Sequence, residues 1–172
     1  MARAVFLDRD GVLNRKAPEG RYIADLQQFE ILPGALEAVA RLRRSGFLVF
    51  VVTNQRGIAR HIVSPKAVEG MHQYLLNEAK RVGGSIDKIY VCPHDDSDGC
   101  DCRKPMPGML LRAAQEHSVD LTKSWMVGDS VSDLEAGRSA GCKTAFVGSE
   151  VCRAADLSMP SLEELVDLIV GA

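Results

Sequence analysis

Two carboxylates, Asp8 and Asp10, stand two residues apart where an apolar run, Ala4 to Leu7, gives way to Gly11. Packed together at the end of a buried strand, they would be costly without a counter-charge. A bound cation would remove that cost, and Gly11 would let the chain turn sharply after them. Other candidates recur at the ends of later apolar runs. Thr53-Asn54-Gln55 follows Phe47 to Val52, and a hydroxyl with backbone N–H groups there could hold a phosphoryl oxygen. Lys104, between Arg103 and Pro105, follows the run from Ile86 to Cys92. Asp129 follows Trp125 to Val127, with Asp133 one helical turn on, and Asp129 could complete an oxygen-only magnesium site with Asp8. Taken singly, each has an ordinary reading: an Asp-rich turn, a turn Thr, a solvated Lys, a helix cap.

A second constellation is denser. Cys92, His94, Cys100 and Cys102 fall within one short loop, with the spacing Cys-x-His-x5-Cys-x-Cys. Three thiolates and an imidazole make a closed zinc set with no open coordination position, which suits a structural ion. The ordinary alternative is a loop of free thiols. A nucleic-acid-reading zinc module is disfavoured by the acids that fill the loop, Asp95, Asp96, Asp98 and Asp101. Cys142 and Cys152 stand alone and read as isolated thiols.

These residues need elements to position them. Ala4 to Leu7, Phe47 to Val52, Ile86 to Cys92, Trp125 to Val127 and Thr144 to Val147 read as five buried strands. Helices are predicted over Pro33 to Arg44, from Ser64-Pro65 through Val68, Met71, Leu75, Ala79 and Val82, from Pro107 to Glu116, from Ser130 to near Gly141, and after Ser161. Ser130 with Asp133 and Ser161 with Glu164 have capping-box spacing. Fully apolar strands alternating with helices imply a parallel sheet covered on both faces. Ligands in such sheets bind beyond the carboxyl ends of the strands, where the candidate residues fall.

Composition sets the outer bounds. The chain has 172 residues, 46% of them hydrophobic, and a net charge of -2. One domain over residues 1–172, with the zinc loop at 92–102, is expected. The charge gives no reason to expect nucleic acid. The longest apolar run, Phe47 to Val52, is far short of the ~20 residues of a spanning helix, and the first residues leave no room for a signal-peptide apolar segment. A cytoplasmic monomer is expected, in which the cysteines are reduced. No gap between motifs holds a separate cap domain of ~50 residues, so the site should be open and shaped by loops 14–28 and 56–63 and the zinc loop.

The ordered set Asp8-Arg9-Asp10-Gly11-Val12, Thr53-Asn54-Gln55, Lys104-Pro105 and Gly128-Asp129-x-x-x-Asp133 resembles the haloacid dehalogenase-like phosphatase superfamily. The zinc loop ending in Cys100-Asp101-Cys102-Arg103-Lys104-Pro105 resembles two groups within it, the heptose bisphosphate 7-phosphatases and the histidinol-phosphate phosphatases. Gly57-Ile58-Ala59-Arg60 and Pro107-Gly108-Met109 are more similar to the heptose group. Three features depart from it: His61 in place of a usual Gly, a short interval between His94 and Cys100, and Ser130 where some relatives carry Lys.

The resemblance implies a three-layer α/β/α fold with sheet order 5-4-1-2-3. It implies Asp8 as nucleophile and Asp10 as general acid and then general base, its proton affinity raised by the neighbouring carboxylate. It implies Mg2+ on the Asp8 and Asp129 side chains and the Asp10 backbone carbonyl, with Asp133 on a metal-bound water. Thr53, Asn54 and Lys104 would bind the transferred phosphoryl group. Arg103, backed by Arg56 and Arg60, would take a second phosphate, since Arg grips phosphate through paired bonds. The expected activity is removal of the 7-phosphate of a heptose bisphosphate, with Mg2+ catalytic and Zn2+ structural. Histidinol-phosphate hydrolysis is the alternative, and a catalytically dead, zinc-stapled binding domain a further one.

Overall fold

The computed structural model describes residues 1–172. Its centre is one sheet of six parallel strands: β1 (Ala4–Leu7), β2 (Leu48–Asn54), β3 (Lys88–Cys92), β4 (Trp125–Gly128), β5 (Lys143–Val147) and β6 (Leu157–Met159). The spatial order is β3-β2-β1-β4-β5-β6. The expected order of five strands is present, read from the opposite edge, and β6 extends it. Three residues of mixed polarity carry no periodic signal, so β6 is invisible in the sequence. Its place comes from pairing with β5, Ala145 opposite Leu157 and Val147 opposite Met159.

Side chains alternate across this sheet as the pleat requires. Val5, Leu7, Val49, Val51, Trp125 and Val127 enter one core with α1 (Ala35–Arg44), α2 (Pro65–Arg81) and α5 (Leu162–Gly171). Ala4, Phe6, Phe50, Val52 and Met126 enter the other, with α3 (Gly108–His117) and α4 (Val131–Ala140). Phe6 and Phe50 stack across neighbouring strands with centroids 5.4 Å apart. A fully buried Leu or Phe in such a core contributes about 1.5–3 kcal/mol.

Helix starts follow local chemistry. Ser64 accepts from the Ala67 N–H and Pro65 takes the first turn of α2. Ser130 and Asp133 form the expected capping box. The first helix starts two residues later than predicted because Gly34 lies at φ 74° and closes the turn before it. β3 likewise starts at Lys88 rather than Ile86, and Asp87 just before it joins Val49 twice, its N–H donating to the Val49 carbonyl at 2.8 Å and its carboxylate accepting from the Val49 N–H at 2.7 Å. No helix is long and apolar enough to cross a membrane.

Candidate active site

The carboxyl ends of β1, β2 and β4 converge on a cleft of about 400 Å³. Asp8, Asp10, Asn54, Arg56, Arg103, Lys104, Asp129 and Asp133 all line it. The loop after β3 crosses back over β2 to deliver Lys104. Asn54 fixes that return: its amide donates to the Lys104 carbonyl and its carbonyl oxygen accepts from the Lys104 N–H, both at 3.1 Å. Asn54 is therefore engaged with backbone and positions Lys104, where the sequence suggests a direct substrate contact.

Lys104 is 4% exposed and sits between two acids. Its Nζ lies 2.8 Å from Asp8 Oδ1, 2.7 Å from Asp133 Oδ1 and 2.9 Å from the Val52 carbonyl oxygen. Burial opposes its charge, but Asp8 and Asp133 outweigh burial and raise its pKa above the ordinary lysine value. Asp8 is pushed up to about 7, first by burial and then by Asp133 and Asp10, against the pull of Lys104. Asp133 works twice: Oδ1 meets Lys104, and Oδ2 accepts from the Ser130 N–H and hydroxyl. It is tied into the protein more fully than its expected task of holding a metal-bound water requires.

Oxygen atoms of Asp8, Asp129 and Asp133 all lie within 4.8 Å of one another. Asp129 Oδ1 is buried without a hydrogen-bond partner, and burial raises its carboxyl pKa. An orphaned carboxylate oxygen among hard oxygen donors fits a magnesium ion. The other Asp129 oxygen meets Lys16 Nζ at 2.7 Å. Lys16 comes from loop 14–28, and its part in the site has no signal in the sequence.

Asp10 departs from expectation. Its neighbouring carboxylate does not set its proton affinity. Burial pushes the pKa up, but Arg9, Asn14 and Gln55 pull it below the ordinary value. Arg9 grips Asp10 with two bonds, Nε to Oδ2 at 3.2 Å and Nη2 to Oδ1 at 3.0 Å. Asn14 and Gln55 each donate to it at 3.0 Å. Gln55 also donates to Thr53 Oγ1 at 2.8 Å, placing the buried Thr53 beside this network. The sequence suggests a bound cation as the counter-charge for this pair, whereas the fold supplies Arg9 from between the two acids. Asn14 and Gln55 carried no signal as partners of Asp10, because their alignment depends on how the turn after β1 folds.

The arginines meet the acids of the cysteine loop. Asp96 receives Arg103 at 2.5 Å and Arg56 at 3.1 Å. Asp95 receives Arg60 through a forked pair, and Arg60 also reaches the Tyr22 hydroxyl at 3.2 Å. Arg60 is outside the cleft lining, while Arg56 and Arg103 remain on it. In the loop, the ligand atoms of Cys92, His94, Cys100 and Cys102 gather within 4.8 Å. Cys92 lies 3.7 Å from Cys100, Cys100 lies 3.5 Å from Cys102, and His94 Nδ1 lies 3.4 Å from Cys102 and 3.6 Å from Cys92. Zn–S bonds of roughly 2.3 Å in a tetrahedron give S···S edges of about 3.7 Å, so this donor set fits zinc. Cys142 and Cys152 lie outside it, unpaired, as expected.

Comparison with known proteins gives the family. A family model described as HAD-hydrolase-like matches residues 101–169. The D-glycero-beta-D-manno-heptose-1,7-bisphosphate 7-phosphatase of Pseudomonas aeruginosa is 44% identical over 148 residues, covering 86% of this chain and 82% of that protein. The enzyme of the same name from Pasteurella multocida is 36% identical and covers 99% of this chain and 98% of its own. A crystal structure of D,D-heptose 1,7-bisphosphate phosphatase from Bordetella bronchiseptica, complexed with magnesium and phosphate, superposes with a TM-score of 0.89 at 31% identity, covering 98% of each chain. The chain is a phosphatase and belongs to the haloacid dehalogenase-like hydrolase family that contains these heptose bisphosphate phosphatases.

Proposed function

We propose that this chain hydrolyses the 7-phosphate of D-glycero-D-manno-heptose 1,7-bisphosphate through an aspartyl-phosphate on Asp8, for heptose precursors of surface polysaccharide. The side chains of Asp8 and Asp129 and the Asp10 backbone carbonyl would hold magnesium, which would supply charge neutralisation for the transferred phosphoryl group. The protein does the rest. Lys104 fixes Asp8 and offers positive charge to the phosphoryl oxygens, and the Thr53 hydroxyl, which accepts from Gln55, is the further phosphoryl contact. An Asp8 oxygen attacks phosphorus, the ester P–O bond breaks, and Asp10 gives its proton to the departing alkoxide. Asp10 then takes a proton from water as that water attacks phosphorus and releases Asp8. The Arg9 clamp holds Asp10 as a carboxylate, ready for the second half. An arriving phosphoryl dianion raises its proton affinity, so that Asp10 takes from solvent the proton it gives in the first half.

The observation that carries the substrate reading is the convergence of Arg103 and Arg56 on Asp96 at the rim of the cleft that contains Asp8. Arg21 and Lys16 add to the cationic lining, which suits a second phosphate better than the imidazole and ammonium of histidinol phosphate. Zinc bound by Cys92, His94, Cys100 and Cys102 would fold the loop that presents Arg103, whose Nη1 donates to the His94 carbonyl oxygen at 3.3 Å. We read the chain as one catalytic domain without a separate cap, acting as a monomer. The unpaired thiols suit the cytoplasm.

Phosphate release with magnesium, measured on heptose 1,7-bisphosphate and histidinol phosphate at equal concentration, tests this. The bisphosphate should be preferred, and Asp8→Asn should abolish release while the fold persists. Preference for histidinol phosphate would overturn the substrate assignment. Turnover by Asp8→Asn would overturn the nucleophile.

A further inference from the structure

Arg9 is 1% exposed, and its guanidinium has three neighbours of different kinds. Nε and Nη2 grip Asp10, and the Phe29 ring lies 5.3 Å away. Nη1 lies 3.1 Å from His72 Nε2. His72 comes from α2, on the face that also buries Val68, Met71 and Leu75, and is itself 8% exposed. It touches none of the groups assigned to chemistry and does not line the cleft.

An arginine can only donate hydrogen bonds, so His72 Nε2 must accept, and its proton sits on Nδ1. The ring is neutral. Burial and the adjacent Arg9 charge push its pKa down to about 4, in keeping with that tautomer. Neutrality matters for Arg9. A carboxylate at position 72 would compete with Asp10 for the guanidinium. An apolar side chain would leave Nη1 buried without a partner, free to rotate the fork away from Asp10. A neutral acceptor satisfies Nη1 and leaves the whole positive charge to Asp10.

We propose that His72 is a positioning residue for proton transfer: it orients the Arg9 fork, which in turn holds Asp10 where it can protonate the departing alcohol. The proposal rests on the assignment of Asp10 as general acid. It predicts a loss that depends on the leaving group. An alkyl alkoxide needs the proton from Asp10 as its P–O bond breaks, whereas p-nitrophenolate departs without one. Since kcat/KM reports the steps through leaving-group departure, the two ester types separate this role from a general loss of active enzyme.

The test compares kcat/KM for p-nitrophenyl phosphate with kcat/KM for a sugar-type alkyl phosphate, heptose 1,7-bisphosphate or, if it is turned over instead, histidinol phosphate. The variants are His72→Leu, His72→Gln and Asp10→Asn, each checked for folding by thermal melting and for zinc content. His72→Leu should lower the alkyl value roughly tenfold or more, a fraction of what a general acid supplies, and leave the aryl value within about twofold. His72→Gln, whose carbonyl oxygen can accept from Arg9, should lose less. Equal falls on both esters, no fall, or an equal loss in the Gln variant would overturn the proposal. Asp10→Asn shows where a failure lies. If it is selective against alkyl esters and His72→Leu is not, the His72 link alone fails. If Asp10→Asn shows no selectivity, the general-acid assignment fails and the link falls with it.

Discussion

Lys104 shows how tightly the single residues of this site depend on one another. Its ammonium is buried between Asp8 and Asp133, so neither acid is charged without a partner. Replacing it with Met would leave two buried carboxylates facing each other. Breaking a buried pair in this way costs about 3–5 kcal/mol. Lys104→Met should therefore unfold at clearly lower urea concentration than the parent in magnesium-free buffer. Magnesium should recover part of the loss, because a cation at Asp8 and Asp129 supplies charge to the same cluster. Urea midpoints with and without magnesium check both parts. The residues legible in the sequence at this scale were those with charge or soft donors at strand ends. Asn14, Lys16 and His72 were not legible, and Gln55 stood in the Thr53-Asn54-Gln55 motif without a role. Each is an ordinary polar residue whose meaning depends on what a distant segment places beside it.

At the scale of elements, the contact of α4 with the sheet carries the strand end that holds Asp129. Gly137 lies on the inner face of α4, and a Cβ built there would sit 2.6 Å from Met126 Cβ and 3.2 Å from Thr144 Cγ2. Alanine is favoured over glycine within helices by about 1 kcal/mol. Here overpacking should win, since inserting a methyl into a packed core costs about 1–3 kcal/mol. Gly137→Ala should lower the thermal midpoint and, by pushing α4 off β4, weaken magnesium binding at Asp129. Calorimetric titration of magnesium reads the second effect. Helix and strand identities were readable because the helices carry a three-to-four-residue period and each of the five strands is built on a short apolar run. β6 was not, since edge pairing rather than composition makes Leu157–Met159 a strand.

For the whole molecule, the cysteine loop joins the fold to the substrate face. Asp95 and Asp96 tie it to Arg60, Arg56 and Arg103, and Arg60 reaches Tyr22 in loop 14–28. If zinc holds this loop, its removal should loosen the rim before it loosens the sheet. Treatment with a strong chelator, followed by magnesium restoration, should raise KM for the bisphosphate several-fold, with a smaller fall in kcat. Cys102→Ser should act in the same direction. Metal analysis alongside steady-state kinetics checks this, and an unchanged KM in zinc-free protein would remove the rim role from the loop.

The order of chemical residues along the chain, and their placement at the ends of apolar strands, was determined by the sequence alone. Side-chain type and short-range periodicity are local properties, and they sufficed for the α/β class and for marking the acid pair, Lys104, Asp129 and the cysteine loop as candidates, while the roles of these residues came from the resemblance. The tertiary structure decided which charges neutralise which. The acids of the cysteine loop read as a general repulsion toward nucleic acid, yet they are the individual partners of Arg56, Arg60 and Arg103. The neighbouring acid at position 8 suggested a raised proton affinity for Asp10, but the folded turn puts Arg9, Asn14 and Gln55 around it and reverses the sign. Electrostatic effects depend on distance and burial, both set by segments far apart in the chain, and only the packed fold brings those segments together.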